Sequence, residues 1–208
     1  MTEQEKGPQG RRRGRGARER ILSASQQLFR EQGINQTGMD QLCAVAGVSK
    51  RTAYQHFSGK DELVAEYLRR FDPDVMSGVF DRTDLTPRER LLAVFEAPAN
   101  ATEDDVTPLC PFIGAAVEIQ DPDHPARQRA HDYKKAVAAR LAETAREAGA
   151  TNPEQLGEQL ALLLDGASAR NRALNAETFP TAAAIAAVLV DSAIPATAPR
   201  SVASRSST

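Results

Sequence analysis

The chain has 208 residues, 41% hydrophobic and 26% charged, enough for one large domain or two small ones around a buried core. No uninterrupted apolar run nears the roughly 20 residues of a membrane span, and the first residues hold no apolar signal core, so a cytoplasmic protein with no membrane partner is expected. The net charge of −2 hides an asymmetry: residues 1–60 carry 11 Lys and Arg against 5 Asp and Glu, and residues 61–208 carry 15 against 23, which confines polyanion binding to the first quarter.

In chain order, residues 1–16 are too polar and glycine-rich to fold alone and read as a disordered arm. Its Arg11, Arg12, Arg13 and Arg15 are suited to phosphates or a minor groove, or equally to a nonspecifically sticky tail. A first helix is predicted from Ala17 to Gln32, with Ile21, Leu22, Leu28 and Phe29 on one stripe and Gly33 as its stop. Thr37 reads as an N-cap with Asp40 at the capping-box position, opening a helix with Met39, Leu42, Cys43 and Ala46 on its apolar side. Gly47 breaks that helix, and Ser49 caps a second, from Lys50 to about His56, with Ala53 and Phe57 facing inward. Ser58 is placed as the cap of a third, with Asp61 as its capping-box partner.

Two short helices joined by a tight glycine-bearing turn describe the helix-turn-helix, which sets its second helix in the major groove of DNA. Lys50 and Arg51 occupy the first turn of that second helix, where the helix dipole disfavours cations, so an external polyanion is the simplest reason for them. They are the candidates for base edges, arginine being the commonest specific partner of guanine.

The stretch Gly33–Leu68 resembles the DNA-binding domain of the TetR (tetracycline repressor) family of bacterial transcriptional regulators. The resemblance rests on the helix stop at Gly33, Thr37, the Ala46-Gly47-Val48-Ser49 turn, Tyr54-x-His56-Phe57 and Lys60-Asp61-Glu62-Leu63. Gly38-Met39 departs from the usual family residues. By position in that motif and by donor chemistry, Thr37, Thr52, Tyr54, His56 and Lys60 are assigned to phosphates. The resemblance implies a double-stranded DNA operator, a small-molecule effector of unknown identity and a homodimer.

A linking helix is expected over 63–71, and from Asp74 onward the composition turns to Ala, Leu and Glu, with prolines at helix boundaries. Further helices are predicted over about 74–81, 87–99, 108–120, 123–149, 153–175 and 180–193, followed by a disordered tail from 194. No alternation typical of strands occurs, so the fold is expected to be all-α: a helix-turn-helix head over 17–62 and a helical body over 63–193. The family resemblance implies that the last two helices pair with a second copy through Leu156, Leu160, Leu163, Leu164, Ala167, Ile185, Val188 and Leu189. It also implies an effector cavity in the body, for which Phe80, Phe95, Cys110, Phe112, Ile113, Val117, His131 and Tyr133 are candidates, with Asn100 and Glu118 as further polar groups.

Catalysis is not expected. Cys110, His124 and His131 sit beside no nucleophile elbow or phosphate-binding loop, and the cysteines and histidines follow no metal-ligand spacing, so neither metal nor cofactor is assigned. The sequence therefore points to a ligand-responsive, sequence-specific DNA-binding regulator, most simply a repressor released from a pseudo-palindromic operator. Two alternatives stay open: a DNA-binding regulator without a small ligand, and a helical ligand-binding protein that does not read DNA.

Overall fold

Ten helices carry the described residues, 9–72, 74–99 and 110–195 of this computed structural model, and no strand occurs among them. They are α1 (Gln9–Gln32), α2 (Met39–Ala46), α3 (Lys50–Tyr54), α4 (Lys60–Phe71), α5 (Ser77–Phe80), α6 (Pro87–Ala99), α7 (Pro111–Glu118), α8 (Pro125–Glu147), α9 (Pro153–Leu174) and α10 (Phe179–Ala193). The all-α reading holds. None of these helices is long and apolar enough to cross a membrane.

Two apolar clusters organise the chain. Ile21, Leu22, Leu28, Leu42, Cys43, Ala53, Phe57 and Leu63 close the core of the head formed by α1–α3. A larger cluster of α4–α10 side chains fills the body and recruits Phe29 and Ile34 from the head side. The helix α4 serves both: Leu63 enters the head core, whereas Val64, Tyr67 and Leu68 enter that of the body. Because these positions lie on two faces of one rigid helix, a tilt of α4 moves the head relative to the body.

Three boundaries differ from the sequence expectation. First, α1 is described from Gln9, so Arg11, Arg12, Arg13 and Arg15 fall in its opening turns, where the sequence expectation placed an arm over residues 1–16. Helix propagation from the packed segment after Ala17 adds one hydrogen bond per residue, which the arginines favour and Gly10, Gly14 and Gly16 oppose. Second, α5 starts only at Ser77, because Val75 and Met76 adopt left-handed φ values of 48° and 58° while the Asp72 carboxylate accepts from Met76 N at 2.8 Å. Third, α7 is shortened to the eight residues after Cys110, with Pro111 in its first turn, where a missing N–H is harmless. Residues 1–8, Pro73, 100–109 and 196–208 lie outside the described residues, and with them Asn100 and most of the expected tail.

In the body, α8 and α9 approach each other closely at Gly157. A Cβ on Gly157 would lie 2.7 Å from Ala142 N and 2.9 Å from Ala138 O, so only glycine permits this approach.

Candidate nucleic-acid interface

The geometry of α2–turn–α3 follows from a few side chains. Gly47 adopts φ 61°, ψ 42°, and the amides of Gly47 and Val48 return to the carbonyls of Ala44 and Cys43. Only the left-handed region closes the helix this tightly, and glycine enters it without a Cβ penalty. Ser49 Oγ accepts from Thr52 N at 3.1 Å and starts α3. Ala53 and Phe57 are buried completely, and the Arg18 guanidinium lies 5.2 Å from the centre of the Phe57 ring. With that side fixed inward, Lys50, Arg51, Tyr54 and Gln55 face solvent.

The exposed cations differ in their commitments. Lys50 Nζ lies 2.6 Å from Asp40 Oδ1 in a pair that is open to solvent on both sides, and this hydrogen bond raises the Lys50 pKa. Arg51 has no ion-pair partner among the described residues. Lys60 Nζ sits 3.5 Å from the Asn35 carbonyl, a contact too long to hold it. Thr52 shares its hydroxyl with Ser49 at 2.8 Å, Tyr54 is 52% exposed, and His56 is half-buried.

Two of the expected caps fall one residue away. Gly38, extended at φ −97°, takes the N-cap position of α2, and Thr37 is only 1% exposed, its hydroxyl donating to Gly33 O at 2.7 Å. The hydroxyl closes the 33–37 turn and is not directed at a phosphate, so Thr37 leaves the list of contacts. Gly59 opens α4 in place of Ser58, whose amide donates to Glu62 Oε2 at 2.6 Å, while Asp61 turns to the body. Sequence reasoning missed Asp40 as the partner of Lys50; ten residues apart and on separate helices, the two share no local spacing.

Beside the packing of Phe29 and Ile34 into the body core, polar contacts between described residues tie the body to the head. The backbone amide of Asn35 donates to Glu118 Oε2 at 2.7 Å, and the Asn35 side chain donates to the Glu118 carbonyl at 2.9 Å. His124 accepts from Ala126 N on Nδ1, which leaves the Nε2 proton facing Asp61 Oδ1 at 3.3 Å. Within the head, Glu66 of α4 is only 8% exposed and receives Arg18 of α1 together with Arg69 and Arg70 of its own helix. Burial alone would raise its pKa, but hydrogen bonds from the three guanidinium groups prevail and hold it at about 2.

The effector candidates do not assemble as one lining. Phe80, Phe95 and Phe112 are packed core side chains. Phe112 stacks on Tyr133 at 3.6 Å with planes 5° apart, which leaves no space between the rings, and the Tyr133 hydroxyl donates to Asp72 at 2.5 Å. Burial and that carboxylate raise the Tyr133 pKa. Cys110 and Ile113 are half-buried, with Cys110 N donating to Ser168 Oγ. His131 and Val117 point to solvent, Val117 being 72% exposed, because the apolar side of each helix is taken by its neighbours. These two are corrected: neither lines the interior.

The dimer candidates also divide. Leu156 and Leu160 are buried within the subunit, as is Ala167, because the α9 face that carries them is turned toward the core. Leu163, Leu164 and Leu189 are half-buried, whereas Ile185 and Val188 are exposed. Leu162, 77% exposed on the outer face of α9, was missed, although its four-residue spacing from Glu158 and Gly166 marks that face. Among the described residues no group of three His, Cys, Asp or Glu side chains is placed to hold a metal ion.

Residues 21–67 match the family described as bacterial regulatory proteins, tetR family. The HTH-type transcriptional activator FasR of Mycolicibacterium smegmatis is 39% identical over 100 residues, 47% of this chain and 43% of FasR. The HTH-type transcriptional regulator LmrA of Bacillus subtilis is 30% identical over 141 residues, covering 64% of this chain and 73% of LmrA. The match thus spans under half of FasR but nearly three quarters of LmrA. Among solved structures, a Streptomyces avermitilis protein assigned to the TetR transcriptional regulators superposes with a TM-score of 0.73 at 34% identity, over 85% of this chain and 97% of that one. A TetR-family regulator from Streptomyces coelicolor gives 0.73 at 25% identity, over 86% and 95%. With the head motif, the helical body, a relative covered over 73% of its length and a solved structure that covers 85% of the chain in agreement, the chain belongs to the TetR family of bacterial regulatory proteins, which are regulators and not enzymes.

Proposed function

We propose that the protein is a sequence-specific DNA-binding transcriptional regulator acting as a homodimer, most simply a repressor, with a small molecule that releases it from its operator. The observation that carries the reading is the outward presentation of Arg51, free of any carboxylate among the described residues, on a helix whose other side is anchored by Ala53 and Phe57. Arg51 reads a base edge, Lys50 a second once Asp40 yields it, and Thr52, Tyr54, His56 and Lys60 bind phosphate. If Arg11, Arg12, Arg13 and Arg15 extend this contact, they do so from the first turns of α1 and add affinity more than sequence choice.

The outer face of α9 and α10 supports the dimer. Leu162, Val188, Leu174 and Ile185 are 77%, 66%, 54% and 46% exposed, and Leu162, Leu174 and Ile185 line a shallow apolar trough with Leu163 and Leu189. Exposed large apolar side chains gathered on one face mark an interface, and a two-fold axis there sets the reading helices in major grooves about 10 bp or a multiple apart. An effector acts by binding one spacing of the heads better than the other, for tight binding without that difference shifts nothing.

A gel shift with the DNA upstream of the protein's own gene, with and without metabolite pools, tests the proposal. Retarded bands that disappear on adding a metabolite support it in full. Bands that ignore every metabolite leave a regulator without a small ligand, and no band at all refutes DNA reading.

A further inference from the structure

A cavity of about 210 Å³ lies where the head meets the body, between the end of α1, the middle of α4, α7 and the last turn of α9. It is separate from the packed aromatic side chains of Phe80, Phe95, Phe112 and Tyr133. Its polar lining includes Arg30, Arg172, Tyr67 and Glu118, and its apolar lining includes Phe29 and Ile34. The two guanidinium groups come from the last turns of α1 and α9, and neither has a carboxylate partner among the described residues. Glu118 is already engaged by Asn35 N, so the three ionised groups leave one positive charge in excess.

Tyr67 is only 6% exposed, and its hydroxyl, which makes no hydrogen bond to another described residue, is not sealed in the core but belongs to a side chain that lines the cavity. A phenol whose body is buried while its polar tip opens on a cavity is free to donate to a molecule that enters it. Burial pushes its pKa up to about 12, with the charge of nearby Arg30 working in the other direction, so at neutral pH the group is an O–H donor. Donors carried by three helices, two of them exposed arginines, therefore line one cavity beside an apolar wall. A carboxylate matches the planar fork of a guanidinium and accepts from a phenol at the same time. The wall of Phe29 and Ile34 favours a carbon skeleton over a bare inorganic anion.

We propose that this junction cavity binds a small organic monocarboxylate with a compact apolar body, its carboxylate held by Arg172 and Arg30 and capped by the Tyr67 hydroxyl. Because α1 belongs to the head, α7 and α9 to the body, and α4 joins the two, the bound molecule ties one to the other and favours a single head orientation. That consequence rests on the DNA-binding reading; the site itself does not.

Benzoate is the probe, with benzamide as its neutral isostere and inorganic phosphate as a compact anion. Titrations of the full-length chain by calorimetry and by saturation-transfer NMR should show saturable benzoate binding, in roughly the millimolar range of a small fragment. Arg172→Ala should weaken it by about tenfold or more, as expected for loss of a charged hydrogen bond, and Tyr67→Phe, which keeps the ring in place, by severalfold. Benzamide and phosphate should bind more weakly than benzoate. Absence of saturable benzoate binding, or affinity unchanged in both variants, overturns the site; tighter binding of phosphate overturns the carboxylate class. Benzoate that binds without altering the affinity of the protein for operator DNA overturns the coupling to the head, and this result is distinct from a failure to bind DNA.

Discussion

The molecule has two surfaces whose side chains lack sufficient partners of their own, and their chemistries are opposite. On α3, charged and hydrogen-bonding groups stand out from a short helix whose inner side is closed by Ala53 and Phe57. On α9 and α10, Leu162, Ile185 and Val188 stand out from helices whose inner sides already fill the body core. Water satisfies the first surface well and the second poorly, so the two respond to different variables. A contact with DNA through the first should weaken steeply with salt, whereas a contact between copies through the second should depend on protein concentration and hardly on salt. The difference teaches that reading and pairing are separable on this chain, even though operator affinity requires both.

The largest effect should come from separating them. Val188→Glu combined with Leu162→Glu places charges on the apolar face without touching the subunit core, so far-UV circular dichroism should be unchanged while sedimentation reports a monomer. Operator affinity should fall by roughly 10²- to 10⁴-fold, the avidity lost when two linked sites become one. A double variant that remains dimeric would move the interface elsewhere.

Next in size is Glu66, which holds α1 to α4 beneath the reading surface. Its pKa is lowered from 4.5 to about 2 in the folded protein, so its stabilisation is complete above pH 4.5 and is lost as pH falls toward 2. The lowered pKa corresponds to an upper limit of about 3 kcal/mol at neutral pH. Glu66→Gln should therefore lower the thermal midpoint at pH 7 and flatten the acid limb of the stability profile. A parallel pH profile in the variant would remove Glu66 from this role.

Arg51→Ala should cost roughly 1–3 kcal/mol on the operator and relax selectivity at one base pair, while Lys60→Ala should weaken all sequences alike and reduce the salt slope by about one. Equal losses on operator and random DNA for Arg51→Ala would reassign it to phosphate. The smallest change is expected from Asp40→Asn. It frees Lys50, so random DNA should gain more than operator, narrowing the ratio between them; a widened ratio would mean that the pair persists in the complex and orients Lys50 for readout.

Much of the head was legible because its signals are local. Gly47, Ser49, Ala53 and Phe57 lie within eleven residues of one another, and each has a conformational reason visible in its identity alone. The two capping errors have the same origin: Thr37 and Ser58 are chemically good caps, but each is followed by a glycine that adopts the extended capping conformation itself. In the body, periodicity located α6, α8, α9 and α10 to within about two residues, yet it could not say which face each helix turns inward. Leu156 and Leu162 have the same hydropathy, and only the close approach at Gly157 decides which is core.

By itself, the sequence determined the helical class, the turn that presents α3 and the concentration of positive charge before residue 60, since these depend on neighbours along the chain. Tertiary structure alone decided that Asp40 holds Lys50, that Glu118 and Asp61 attach the head to the body, and that Arg30, Tyr67 and Arg172 share one cavity. The last three come from α1, α4 and α9, and distance along a chain carries no information about convergence of that kind until the packing of helix faces has set their mutual angles.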